Sequence, residues 1–498
     1  MTGPDQNQTG ENPNRTQPAA PPVNPPTGPL SDPVTAELDM ALRELSKLGG
    51  DMLDHANRLG RILFSPPRVV IVGRLKAGKS TLVNALVGEN IAATGALEVT
   101  NAVTVFHHGA PARAEVVDRT GRRHPVADSG SGVVTGLPVP LEDVAFVDRF
   151  LPSRAIADVT LIDTPGLATL TAENEEVAKR ALLPGYDETR VASAEADGAV
   201  FVFESLPRAN EWDFVARLGF TPLNIVGVLA RSDAFGEGAM GERDAIEHAR
   251  EYAGKLDSRM DGLVSTVIPV AGLLAEASRT GRVSEHVARQ LARIDGLERE
   301  DVFEELESTD DGIFTALDRR MTLDSIGEYG TIHGARHAAR GAAEMSRWLD
   351  SVSGVDELDA FLRGELLPFA AMQRALRITG ELEQLAIHHP ARDRVRHILG
   401  VLFRRPAMIK VALFRSYRGL VATMPQSPLT SMARTALAAN SPAEAVGLPA
   451  DAPQEHVDAA ARDIFGRMQQ MQFVGISAAE DDARANLGRY FYALGLGG

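Results

Sequence analysis

Residues 69–88 constrain this chain more than any other stretch. They read Val-Val-Ile-Val-Gly-Arg-Leu-Lys-Ala-Gly-Lys-Ser-Thr-Leu-Val-Asn-Ala-Leu-Val-Gly. Val69 to Val72 is short, apolar and β-branched, which suits a strand buried on both faces of a parallel sheet. From Thr81 to Val87 the residues continue at helical spacing, and Gly88 can end that helix. Between them lies G-x-x-x-x-G-K-S, Gly73 to Ser80. Strand, glycine-bounded loop and helix in that order point to an α/β sheet with a phosphate-binding loop at its edge. Gly73 and Gly78 leave the backbone free to close around an anion. The N–H groups of the loop (Arg74, Leu75, Lys76, Ala77) and of the helix start at Lys79, Ser80 and Thr81 then face the negative charge. Lys79 reaches the β- and γ-phosphates, and the Ser80 hydroxyl ligates Mg²⁺.

Further apolar runs follow the loop: Val103–His107, Ala114–Asp118, Asp158–Asp163, Gly198–Phe203, Asn224–Ala230 and Thr266–Ala271. Alternating with helices, they predict a doubly wound, mainly parallel sheet over residues 66–283. Asp158–Asp163 ends in Asp-Thr-Pro-Gly. Asp163 at a strand end can hold Mg²⁺ through water, and Gly166 can donate its N–H to a γ-phosphate. Thr100, in Leu-Glu-Val-Thr-Asn, is the candidate to close on Mg²⁺ and the γ-phosphate, with Thr104 as its competitor. Ala230-Arg-Ser-Asp233 follows the next strand but one. Asp233 can accept from the N1–H and 2-amino group of guanine, which adenine does not offer. Arg231 can stack on the base, and a backbone N–H near Ala271 can meet the guanine carbonyl.

The flanks differ. Residues 1–31 are rich in Pro, Asn, Gln and Thr and are expected to be a disordered tail. Asp32-Pro33 starts a helix, with Leu38, Leu45, Met52 and Leu59 on a seven-residue stripe, giving one neck helix over 32–65 that bends at Gly49-Gly50. His55 sits on that stripe as a core or edge histidine. From 284 to 498 strand-like runs give way to helical periodicity, with candidate helices at Glu285–Ile294, Gly312–Ala339, Val355–Leu385, Arg392–Thr423, Gln454–Gln472 and Ala478–Leu494. Pro368 and Pro406 should kink or divide two of them. The fold class is therefore an α/β P-loop head with an extended all-α neck and stalk.

Net charge is −16, with 51 Lys and Arg against 67 Asp and Glu, the wrong balance for a protein that grips nucleic-acid backbone. Cysteine is absent, which removes disulfides, thiolate metal sites and thiol catalysis. No 18-residue apolar run predicts a spanning helix, and the start of the chain does not read as a signal peptide, so the cytoplasm is the default. Residues 392–424 are locally basic, with Arg392, Arg394, Arg396, Arg404, Arg405, Lys410, Arg415 and Arg418 among apolar residues. Two readings stand. One is contact with an anionic membrane surface; the other is a stalk helix with a buried apolar face. His107-His108 reads as a strand end, and neither it nor the Glu-rich run 298–306 carries a metal-ligand pattern.

The loop, the Asp-Thr-Pro-Gly motif, Ile-Pro-Val-Ala-Gly-Leu-Leu-Ala (268–275), Gly327-Glu-Tyr-Gly330 and Ser353-Gly-Val-Asp-Glu-Leu-Asp-Ala-Phe-Leu together resemble the dynamin superfamily. They are most similar to the actinobacterial isoniazid-inducible, dynamin-like group. The resemblance spans roughly residues 36–390. It implies a GTPase using GTP, GDP and Mg²⁺, head-to-head dimers, a paralogous dynamin-like partner and work at the inner face of a membrane. This chain departs from the family pattern in places. Ala230 and Arg231 replace the usual Asn and Lys of the guanine motif. Leu75 stands where many dynamins carry Ser, and Leu167 follows Gly166 where Ras-like enzymes orient water with Gln. Lys76 stands where some relatives place an arginine finger. Lys76 or Arg74 is thus the candidate cation for transition-state charge, and slow basal turnover is expected. The alternative is a regulatory GTPase switch whose helices bind a protein partner and never touch lipid.

Overall fold

The computed structural model describes residues 32–90, 102–126, 137–165, 195–470 and 477–495. The expected tail, Thr100 and Gly166 lie outside them. In chain order the elements through the sheet are α1 (Pro33–Ser46), α2 (Asp51–Phe64), β1 (Arg68–Gly73), α3 (Lys79–Val87), β2 (Thr104–His108), β3 (Arg113–Asp118), β4 (Arg123–Val126), β5 (Val144–Leu151), β6 (Thr160–Asp163), β7 (Gly198–Phe203), α4 (Ala209–Arg217), β8 (Ile225–Ala230), α5 (Ala245–Met260), β9 (Val267–Val270) and α6 (Gly272–Arg279).

The nine strands form one sheet in the order β4-β3-β5-β2-β6-β1-β7-β8-β9. The half around β1 is parallel, through β6, β7, β8 and β9. β2 runs antiparallel to β6 and carries β5, β3 and β4 as an outer, mostly antiparallel extension. β4 and β5 have no counterpart among the predicted runs. β1 shows why the centre holds. Val69 and Ile71 enter the core on one face, Val70 and Val72 the core on the other, and all four are fully buried. Each such side chain contributes roughly 1.5–3 kcal/mol of burial.

The remaining helices are α7 (Glu285–Leu291), α8 (Arg299–Glu307), α9 (Ala316–Ala338), α10 (Ala342–Ser353), α11 (Val355–Phe361), α12 (Leu367–His388), α13 (Arg392–Leu402), α14 (Met408–Thr423), α15 (Pro428–Ala438), α16 (Pro442–Ala445), α17 (Gln454–Gln470) and α18 (Ala478–Gly495). Their cores divide the chain later than residue 284. Val287, Leu291, Ile326, Met345 and Leu349 share a core with Ala271, Leu274 and Ala277 beside the sheet. Val355, Leu358, Leu362 and Leu366 pack under the face that holds α3. From Phe369 onward the helices join α1 and α2 in a separate bundle core.

The single neck helix expected over 32–65 is two helices. The chain turns at Gly49-Gly50, both at positive φ, so Leu38 and Leu45 on one side and Met52 and Leu59 on the other still point into one core. Likewise 392–423 divides before Met408, close to Pro406, and α9 breaks at Gly327. The bundle rests on the sheet domain. Leu223 belongs to the bundle core, Arg418 donates to the Gly219 carbonyl at 3.1 Å, and Arg434 meets Asp261 at 2.6 Å.

One carboxylate ties three parts together. Asp197, just before β7, is fully buried. It accepts from the Arg68 N–H at 3.0 Å, from Arg374 at 3.3 Å and from Arg377 at 2.9 Å. Arg374 also donates to the carbonyls of Leu63 and Ser65 at the end of α2. This knot lies at the start of β1 and β7, the sheet edge opposite the glycine-bounded loop.

Candidate nucleotide-binding site

The carboxyl ends of β1, β6, β8 and β9 open onto a cavity of about 480 Å³, where open α/β sheets take ligands. Lys79, Ser80, Thr104 and Asp163 line one end; Ala230, Arg231, Asp233 and Leu273 line the other. Gly73 leaves β1 so close to β7 that a Cβ there would stand 2.3 Å from the Val202 carbonyl oxygen. The loop then passes through Lys76 at φ 65°, an uncommon, strained conformation for a side chain of that size. Arg231, also at positive φ, donates to the Lys76 carbonyl at 3.0 Å and pairs with Glu204 at 3.0 Å. The loop end of the cavity and the end that follows β8 are thereby tied together. That bond also keeps the Arg231 guanidinium beside the loop.

Lys79 donates to the Arg74 carbonyl at 3.0 Å across the loop. Burial lowers its pKa, against the pull of the Asp163 carboxylate. Burial likewise raises Asp163, against Lys79 and the Ser80 hydroxyl. Ser80 Oγ donates to Asp163 Oδ2 at 3.0 Å, while Asp163 Oδ1 is buried with no partner among the described residues. Thr164 pins the turn after β6 by donating to the Ile71 carbonyl at 2.7 Å. A hydroxyl and a carboxylate with an orphaned oxygen, beside a buried ammonium, make a hard-oxygen set that fits Mg²⁺ on a phosphate.

Thr104 lies at this wall, directly opposite Asp163 across the β2–β6 ladder. Of the two candidate loop cations, Arg74 is turned inward, 3.6 Å from Glu211, which also accepts the Arg208 N–H and caps α4. Lys76 is exposed, and Leu75 beside it is 61% exposed.

At the opposite end of the cavity, burial raises the Asp233 carboxyl, opposed by its own N–H and by Arg231. The expected backbone N–H near Ala271 is not that of Ala271 itself. Its N–H donates to the Ser353 carbonyl at 2.8 Å and the residue is fully buried, because the α10–α11 turn presses against the end of β9. Gly272 and Leu273 line the cavity instead.

Sequence reasoning missed Arg149. It is 6% exposed, lines the cavity, and its guanidinium lies 5.9 Å from the Phe106 ring centroid. The signal was an arginine inside the apolar run Val144–Leu151, a strand that was itself not predicted. His107 and His108 are occupied structurally, by Asp148 at 2.8 Å and the Ser153 carbonyl at 2.7 Å.

In 392–424 the apolar half is spent on the bundle. Leu402, Met408, Val411, Leu413, Phe414, Tyr417 and Leu420 are buried in its core, and Arg405 and Arg415 pair with Glu37 and Glu383. No described helix is long and apolar enough to cross a membrane.

Residues 69–137 match the model of the Dynamin family. The chain is similar to the isoniazid-induced protein IniC of Mycobacterium tuberculosis, 34% identical over 271 residues, which are 52% of this chain and 53% of that protein. Isoniazid-induced protein IniA of the same organism is 29% identical over 161 residues, 29% of this chain and 24% of the relative. The chain spans about half the length of the IniC relatives it matches. A solved structure described as an oligomerised bacterial dynamin pair aligns over 93% of this chain and 73% of its own, at 12% identity and a TM-score of 0.31.

Proposed function

We propose that this chain is a bacterial dynamin-like protein, a reading supported by its similarity to the Dynamin family over residues 69–137 and to IniC, and that it binds GTP with Mg²⁺ and hydrolyses it slowly, faster when two heads meet. Its place is the cytoplasm, at the inner face of a membrane, with a second copy of itself or a paralogous dynamin-like chain as partner. One observation carries the reading: Lys79, Ser80, Asp163 and Asp233 converge on one cavity at the sheet's carboxyl edge. The loop N–H groups and Lys79 bind the β- and γ-phosphates. Ser80 and Asp163 would hold the Mg²⁺, which when bound neutralises charge on the phosphate oxygens. Asp233 accepts from the guanine edge, and Arg231 covers the base. Lys76, exposed at the mouth, brings positive charge to the γ-phosphate when heads pair.

The test is GTP turnover against protein concentration, with and without anionic liposomes, beside Lys79→Ala. Turnover per head that rises with concentration and vanishes in Lys79→Ala supports the reading. Absence of guanine-nucleotide uptake by folded protein overturns it. A second reading is a regulatory switch whose helices hold a protein partner without lipid. The burial of the apolar half of 392–424 favours it, and it stands if liposomes change neither turnover nor sedimentation.

A further inference from the structure

Asp233 stands in a segment with little regular structure of its own. From Arg231 to Asp244 the chain passes through two short 3-10 turns, Ser232–Ala234 and Gly238–Met240. Its inner side rests on α5, where Phe235 packs against His248 and Tyr252. Its other side is met by α9 at three separated points. A Cβ built on Gly327 would lie 3.9 Å from Asp233 Oδ2 and 3.3 Å from Leu273 Cδ2, so backbone approaches the carboxylate there without a side chain between. His333 Nε2 lies 3.3 Å from the Ala239 carbonyl oxygen. The Tyr329 hydroxyl donates to Asp244 Oδ2 at 2.6 Å. Arg299 of α8 adds a fourth point, donating to the Gly241 carbonyl at 2.8 Å.

The contacts reach both ends of the segment because α9 is broken. Gly327 takes φ 64° and ψ −175° inside an otherwise helical run, a conformation costly for any residue with a Cβ. The break puts backbone against Asp233 while the next turn presents Tyr329 and His333 to the far end. Those two rings are fixed in turn, 4.4 Å apart by centroid, with Trp348 of α10 lying parallel to Tyr329 at 6.4 Å. Asp244 is the N-cap of α5, accepting from the N–H groups of Ile246 and Glu247, so the Tyr329 bond closes on a point that is itself rigid.

We infer that residues 327–333 of α9 clamp the base-reading segment and fix where the Asp233 carboxylate stands, so that the helical layer 285–353 sets guanine selectivity. The inference rests on the proposed role of Asp233. Gly327, Tyr329 and His333 act through it and touch no ligand; they are positioning residues. A carboxylate held in place accepts two well-aligned hydrogen bonds from guanine, whereas one free to swing loses alignment and with it the discrimination.

The experiment compares binding of GTP and inosine triphosphate, which lacks the 2-amino group, to the full chain in wild type, Tyr329→Phe and His333→Gln, with a thermal melt of each. A charge-assisted hydrogen bond makes wild type prefer GTP by about tenfold or more. Both variants should cut that preference to below about threefold, with inosine triphosphate weakening less than GTP, since GTP loses the alignment of two bonds to Asp233 and inosine triphosphate, which keeps only N1–H, of one. Equal weakening of both nucleotides, with the preference kept, is what a merely structural role produces and overturns the clamp. Should one variant fail to fold, the other carries the same readout. A wild type that binds both nucleotides equally removes the assignment of Asp233 and the clamp with it, and is told apart because the variants then play no part in the result.

Discussion

Replacing Asp197 by alanine should loosen the joint between helices and sheet by an amount the geometry bounds. The carboxylate is fully buried and serves three donors, the Arg68 N–H and the guanidiniums of Arg374 and Arg377. Removing one side of a buried, charged pair typically costs about 3–5 kcal/mol, because the other side is left without its counter-charge. Here the arginines keep part of their bonding. Arg374 retains the carbonyls of Leu63 and Ser65, and Arg377 retains the carbonyl of Glu195. The lower end therefore applies, about 3 kcal/mol. In urea unfolding with a slope of about 3 kcal/mol/M, that lowers the midpoint by about 1 M. Asp197→Asn keeps the size and one acceptor and should lose roughly half as much. Glu195→Ala removes only a 59% exposed partner of Arg68 and should cost under about 0.5 kcal/mol. An Asp197→Ala midpoint within about 0.3 M of wild type at the same slope would refute the reasoning.

Three further outcomes are expected. Gly73→Ala places a methyl 2.3 Å from the Val202 carbonyl; it should abolish nucleotide binding by calorimetry and lower stability by about 3 kcal/mol or more. Lys76→Ala should reduce the concentration-dependent part of GTP turnover by at least about tenfold and leave binding nearly unchanged, whereas Arg74→Ala, which frees Glu211, should act mainly on the melting temperature. Equal turnover in Lys76→Ala and wild type removes Lys76 from that role. Burial holds the His333 imidazole below its ordinary 6.5, so as the pH falls through the window below 6.5 the unfolded chain takes up that proton first and the folded state loses stability. His333→Gln should flatten the decline, read by urea midpoints on either side of that window.

The Lys79 end of the cavity was legible because its residues are local in sequence. A strand, a loop and a helix within twenty residues carry Gly73, Lys79 and Ser80, and Asp163 ends an apolar run. The Asp233 end was legible only in part. Asp233 follows a strand, as expected, but the N–H of Ala271 is spent on Ser353, a residue 82 positions away. Nothing in the local pattern reports that. Arg149 escaped for a similar reason: an arginine in a strand is informative only once β5 is known to lie beside β2. The stripe of Leu38, Leu45, Met52 and Leu59 found the right buried residues and the wrong shape, since a seven-residue repeat reads alike through a straight helix and through a hairpin that folds it back on itself.

Sequence alone determined the α/β head, the phosphate loop and the helical remainder, because each rests on period and composition over a few turns of chain. Tertiary structure decided which helices serve the head and which the bundle, that 392–424 spends its apolar face inside the protein, and that α9 lies on the segment 231–244. Those are matters of which apolar face meets which. Burial is satisfied by any complementary partner, and the partner is chosen by the packing of the whole chain rather than by the stretch that carries the face.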